Sequence, residues 1–284
     1  MKMKKKLLGF TLGATVLAGT IIGGTFAYFN STETSTGNNF SSGTLSLQSM
    51  RNDLPTNGPM FYTESGPDGV SGTGLWKPGD AHTRGLFIEN TGTLDALLKT
   101  VSASPEATVG TDAFNDAMKF AEQSIATISI LEPVNGEGTF DSTTYAEMLN
   151  EVNEWFNLQF DYYWYLEASK EGDLDPFEGI TLAAEIIDNI EQQAQNKVFT
   201  VSVTDMFGNT STIEGKIADI INEQSLKDLV TNGVNVSSEN LTVTTGEQMY
   251  FAYTIKFLDL DPEVNNPLQG KEINFGFSSE FIAK

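Results

Sequence analysis

The pattern that most limits this chain is a period of two near its C-terminus. From Met249 to Leu258, the side chains of Phe251, Tyr253, Ile255 and Phe257 fall on one side of an extended backbone. From Ile273 to Ile282, Ile273, Phe275, Phe277 and Phe281 do the same. Side chains alternate across a strand, so both runs read as strands with one buried face. Gly276 falls on the opposite face of the second, where a bulge or a close backbone approach is expected. Packing must hold these strands together, because the chain contains no cysteine. Its 284 residues are enough to bury a sizeable core.

The missing cysteines exclude disulfides, thiolate nucleophiles and cysteine-based zinc sites. The one histidine, His82, excludes zinc held by two histidines and an HExxH helix. Lys and Arg number 16 against 38 Asp and Glu, a net charge of −22. Phosphate backbones need a basic footprint, so no nucleic-acid partner is expected. The positive charges include Lys2, Lys4, Lys5 and Lys6 at the N-terminus, before an apolar run from Leu7 to Gly24. Thr25-Phe26-Ala27 then offers a small, a bulky and a small residue. Together these read as a signal peptide over residues 1–27, cleaved between Ala27 and Tyr28. The mature chain then carries 12 − 38 = −26, so its copies should repel at low ionic strength.

Residues 28–42 read as an extended arm. Tyr28, Phe29 and Asn30 open it, and a Ser/Thr/Asn-rich stretch leads to Phe40 and a first strand around Leu45 and Leu47. The segment has no helical period, and two readings fit it: a leader without fixed structure, or a strand that adds to a sheet edge elsewhere. Residues 55–75 are rich in Gly and Pro and read as a long loop.

Lys77-Pro78-Gly79-Asp80 is a turn, with Pro presetting φ and Gly accepting a positive φ. Leu86-Phe87-Ile88 begins a strand, Asn90-Thr91-Gly92 reads as a hairpin, and Leu94–Val101 as its partner in a meander. Phe114, Ala117, Met118 and Ala121 predict a short helix, and Ile128 and Ile130 a strand face. Thr144-Tyr145-Ala146-Glu147 reads as a capping box opening a helix with Tyr145, Met148, Leu149, Val152, Trp155, Phe156 and Tyr163 as its stripe. Asp175-Pro176-Phe177-Glu178 opens a second, and the two are expected to pack as a hairpin. Strands over Val198–Val203 and Thr210–Glu214 flank a turn, and Ile217, Ile220, Ile221, Leu226 and Leu229 predict a helix over Lys216–Val230. Many short strands between turns predict a mainly β fold, a two-sheet β-sandwich over 43–284, with helices between about 133 and 197.

Candidate chemistry is sparse. The acidic runs Glu171/Asp173/Asp175/Glu178 and Asp259/Asp261/Glu263 match no calcium loop and read as solvated surface. The aromatics Trp155, Phe156, Phe160, Tyr162, Tyr163, Trp164 and Tyr165 spread around their helix, which reads as burial on several sides. The alternative is a platform for a sugar or a protein. No catalytic residue, metal ligand or cofactor site is assigned.

Several stretches in order resemble the TasA/camelysin family of secreted proteins with SipW-type signal peptides. They are MKMKKK, Gly24–Asn30, Ser42–Leu47, Lys77–Asp80, Phe87–Leu94 and Asn266–Gly270. The resemblance covers roughly residues 1–131 and 198–284, with 133–197 reading as an insertion. It implies a jelly-roll sandwich and a secreted subunit of biofilm matrix fibres at the cell surface or in the extracellular matrix. Such a subunit forms a head-to-tail homopolymer by donor-strand complementation. Tyr28, Phe29, Asn30 and Phe40 would be the donor strand. A SipW-type signal peptidase and an accessory anchoring protein would be its partners. The family's camelysin branch is described as a metallopeptidase, a role that one histidine does not support. The alternative to the fibre subunit is a monomeric surface module that binds glycan or matrix protein.

Overall fold

The computed structural model describes residues 44–51, 61, 73–134, 139–171, 174–194, 197–204, 207–222, 225–237 and 240–284. It is mainly β, in three layers. Sheet one has six antiparallel strands in the order β1-β2-β9-β4-β6-β5. These are β1 (Leu47–Arg51), β2 (Ala81–Asn90), β4 (Ser124–Pro133), β5 (Val198–Thr204), β6 (Thr210–Asn222) and β9 (Gln248–Phe257). Sheet two is β10-β3-β7, with β8 also on β3: β3 (Ala96–Pro105), β7 (Val234–Asn235), β8 (Thr242–Val243) and β10 (Phe275–Ala283). Helices α2 (Ser142–Glu171) and α3 (Pro176–Ala194) form the third layer. Helix α1 (Asp112–Glu122) and the short α4 (Leu226–Thr231) pack beside the sandwich.

One core lies between the sheets. Leu86, Phe251, Tyr253 and Ile255 of sheet one meet Leu98, Val101, Phe277 and Phe281 of sheet two. The predicted face of β9 holds for Phe251, Tyr253 and Ile255 and that of β10 for Phe275, Phe277 and Phe281, while Phe257 packs on Phe120 of α1 and Ile273 precedes β10. A second core lies under the helices, where Phe87, Tyr250 and Phe199 pack against Tyr145, Met148 and Leu149. The middle strands of sheet one are covered on both faces, so residues that alternation assigns to solvent are buried. Thr83 and Thr254 hydroxyls pair at 2.8 Å beneath α2, and Thr83 donates to Asn153 Oδ1 at 3.1 Å. Gly85 is required here by space: a Cβ would overlap Leu149 and come within 2.5 Å of the Tyr145 hydroxyl.

Four local expectations are corrected. Asn90-Thr91-Gly92 is not a hairpin, because β2 and β3 belong to different sheets. Asn90 is fully buried and turns the corner: its Nδ2 donates to Leu94 O and Val243 O, both at 2.9 Å, and its Oδ1 accepts from Gly92 N. The meander is thereby replaced by a crossing between sheets.

The expected Lys216–Val230 helix is strand as far as Asn222 and helical only from Leu226, in α4. Register shifts between Ile128/Ser129 and Ile130/Leu131 leave Ala218 and Ile221 extra in β6. A bulge adds one residue to the period of two. Ile217 and Ile220 thus share the helix side while Ile221 enters the inter-sheet core, which imitates helical spacing. The α2 cap is Asp141, whose Oδ1 accepts from Thr144 N at 2.7 Å, and Thr144 is buried within the first turn. Gly276 marks no bulge; the irregularity in β10 falls between Glu280 and Phe281.

Other expectations stand. Asp175 Oδ1 accepts from Glu178 N at 2.9 Å, and Asp175 N donates to Glu178 Oε2 at 3.1 Å, a reciprocal cap. Helix α3 buries Ala183, Ile186, Ile187 and Ile190 against Phe156 and Phe160 of α2. Asp80 N donates to Lys77 O at 3.0 Å, with Gly79 at φ 90°, closing the expected turn.

Candidate functional site

The arm residues Tyr28, Phe29, Asn30 and Phe40, and the cleavage pair Ala27–Tyr28, lie outside the described residues. The segment that follows them is described. Thr91 N donates to Ser46 O at 2.9 Å and Thr93 N to Thr44 O at 2.8 Å. Thr44 N donates to Thr93 Oγ1 at 2.8 Å. Residues 44–46 thus run as extended chain across the corner between the sheets before entering β1. Gly92 is needed for this approach, since a Cβ would sit 2.6 Å from Ser46 N and overlap Thr44 O. Residues 44–46 therefore lead into the outermost strand of sheet one. Among the described residues, no strand pairs with the outer edges of β1, β5 and β10. An unpaired edge presents a row of free N–H and C=O groups, a template for another strand.

The aromatics of α2 sort three ways. Phe156 and Phe160 are buried, and Trp155 packs edge-on to Phe199 at 5.7 Å. Tyr162 and Tyr165 are exposed. Trp164 is half-buried and stacks on Phe160 at 5.7 Å, beside a cleft of about 370 Å³. That cleft also receives the Lys77–Asp80 turn, Asp161, Lys256 and Asp259. Sequence reasoning missed Lys256; its one signal was a lysine inside the otherwise uncharged strand MYFAYTIKF.

His82 is half-buried, its ring 4.6 Å from Trp76. Burial, and then the Arg84 cation, hold its pKa below the usual 6.5. Burial also raises the phenols of Tyr145 and Tyr253, the latter to about 12. The Tyr145 hydroxyl donates to Leu86 O and Phe251 O, bridging β2 and β9. The Tyr253 hydroxyl pairs with Ser279 Oγ at 3.1 Å, so both phenols are hydrogen-bonded inside the core. Asp175 and Asp261 spend their carboxylates on helix N-termini.

A family model described as camelysin metallo-endopeptidase matches residues 2–216. The chain belongs to the camelysin family. The match runs through 133–197, so both long helices lie within the span shared with camelysin, and it ends inside β6. A comparison with curated proteins gives no match. The family description implies a metal. Among the described residues, no three His, Asp or Glu side chains converge to hold one. His82, beside Trp76 and a cation, is not placed as a ligand. The donors among the described residues do not fit a peptidase metal.

Proposed function

We propose that the chain is a secreted structural subunit of extracellular matrix fibres, not a peptidase, with a jelly-roll course through its two sheets. Processing by a SipW-type signal peptidase after Ala27 frees an arm, residues 28–42. That arm adds as a strand to a sheet edge of the next copy, and an accessory protein anchors the polymer. The observation that carries this reading is the arrival of the chain at the sheet-one rim through residues 44–46, next to an unpaired edge. A head-to-tail contact between different surfaces does not close, so it gives filaments. Main-chain hydrogen bonds supply affinity, and Tyr28, Phe29 and Phe40 fix register by filling pockets.

Burying one aromatic contributes on the order of 1.5–3 kcal/mol, so losing Tyr28 and Phe29 shifts assembly by orders of magnitude. The test compares the mature chain with a form starting near Gly37 and with Tyr28→Ser/Phe29→Ser, by negative-stain microscopy. Both altered forms should keep the native circular dichroism spectrum and stay monomeric. Filaments of unchanged width from the shortened chain would move the contact elsewhere. N-terminal sequencing of extracellular protein should begin at Tyr28; a start upstream of Gly24 would mean a retained anchor and no free arm.

A further inference from the structure

We propose that the cleft between the Lys77–Asp80 turn, the second half of α2 and the end of β9 binds a neutral saccharide, taking one terminal pyranose ring. Its volume of about 370 Å³ lies within the range of small-molecule sites, roughly 300–1,000 Å³.

Lys256 is the centre of the site. Its side chain is 3% exposed, and its Nζ donates to Asp161 Oδ1 and Gly79 O, both at 2.6 Å. The ammonium also lies 5.1 Å from the centre of the Phe160 ring. An ammonium has three N–H donors. Among the described residues the third has no acceptor, and the group lines the cleft. Water entering the cleft can accept from this third donor, and an oxygen brought by a ligand would take the place of that water. The turn that delivers Gly79 O is fixed on β9: Gly79 N donates to Phe257 O at 2.8 Å and Phe257 N to Asp80 O at 2.9 Å. The donor is therefore preorganised.

Around this donor stand the carboxylates of Asp80, Asp161 and Asp259 and the half-exposed Trp164. An anionic ligand would face three carboxylates. A simple cation would face Lys256 and Lys77. An apolar ligand would leave the ammonium and carboxylates without partners. A sugar hydroxyl both donates and accepts, so neighbouring hydroxyls can bridge Lys256 to Asp161 or Asp259. The C–H face of the ring packs on Trp164, which its stacking on Phe160 holds in place. The site does not depend on fibre formation, since none of its residues belongs to the arm or a strand edge.

The test titrates the mature chain with cellotriose, N-acetylchitotriose and galactotriose, followed by calorimetry and tryptophan fluorescence. At least one should bind, with Asp259→Asn weakening it several-fold and Trp164→Leu at least tenfold. Asp259 is exposed, so Asp259→Asn keeps the native unfolding midpoint and reads the site independently of folding. Absence of binding by all three at about 10 mM, weaker than a free energy near −2.7 kcal/mol, would overturn the proposal. So would binding unchanged in both variants, or a lysine-rich peptide competing for the cleft while the sugars do not.

Discussion

Replacing Asp161 with Ala should destabilise the fold by about 2 kcal/mol, while Lys256→Met should cost less than half of that. The two ends of this 2.6 Å ion pair sit in different solvents, with the Lys256 side chain 3% exposed and that of Asp161 63% exposed. Removing one partner from a sealed pair costs about 3–5 kcal/mol. A pair in open water is worth about 0–1 kcal/mol. In Asp161→Ala the ammonium keeps Gly79 O and the Phe160 ring, and water reaches it through the cleft, so the cost falls between these limits. In Lys256→Met the buried charge disappears, a side chain of similar length fills its path, and Asp161 is already mostly hydrated. Urea unfolding followed by circular dichroism measures both. The Asp161→Ala midpoint in a thermal scan should drop by about 4–8 °C. If Lys256→Met costs as much as Asp161→Ala, the ion pair contributes net stability and the desolvation argument fails. If Asp161→Ala is silent, the ammonium is better hydrated than its burial implies.

Gly85→Ala drives a methyl into Leu149 and the Tyr145 hydroxyl; overpacking of this kind costs about 1–3 kcal/mol and should lower the denaturation midpoint without altering the arm. Neutral His82 contributes stability that is complete above about pH 6.5 and is lost as pH falls towards its lower folded-state value, because the unfolded chain takes up the proton more readily. His82→Phe keeps a ring against Trp76 and should lose less stability than the native chain between pH 7.5 and 5; parallel pH slopes for the two would contradict this. The mature charge of 12 − 38 = −26 should slow assembly at low ionic strength, with relief by about 0.1 M salt, where the screening length is about 10 Å, and on lowering pH towards the pI. Light scattering that rises faster at low salt and neutral pH would count against electrostatic repulsion as the brake.

The sequence was most legible where one residue's chemistry acts locally. Asp175 and Glu178 cap each other as their spacing implies, and the aromatic alternation of β9 and β10 identifies the inter-sheet face. It was least legible where a distant element changes what a position faces. Thr83, Thr254 and Lys256 fall on the polar side of their strands, yet that side lies under α2. Ile217, Ile220 and Ile221 have helical spacing because two bulges alter a strand's period. Asn90 has the composition of a hairpin turn, but its amide joins Leu94 to Val243 across the sheets. For the candidate sites, Trp164 was visible as an aromatic and Lys77–Asp80 as a turn. Their meeting at one ammonium depends on contacts across 95 residues, the separation of Asp161 and Lys256.

The position of β9 also sets an order of events. It lies between β2 and β4 in sheet one, although it follows β4 by more than a hundred residues in the chain. Until Gln248–Phe257 has been synthesised, β2 and β4 have no shared neighbour, and the surface on which α2 lies is incomplete. Closing such long loops is slow. A chain emerging from its N-terminus therefore cannot finish sheet one early, and that sheet is complete only with nearly the whole polypeptide in hand.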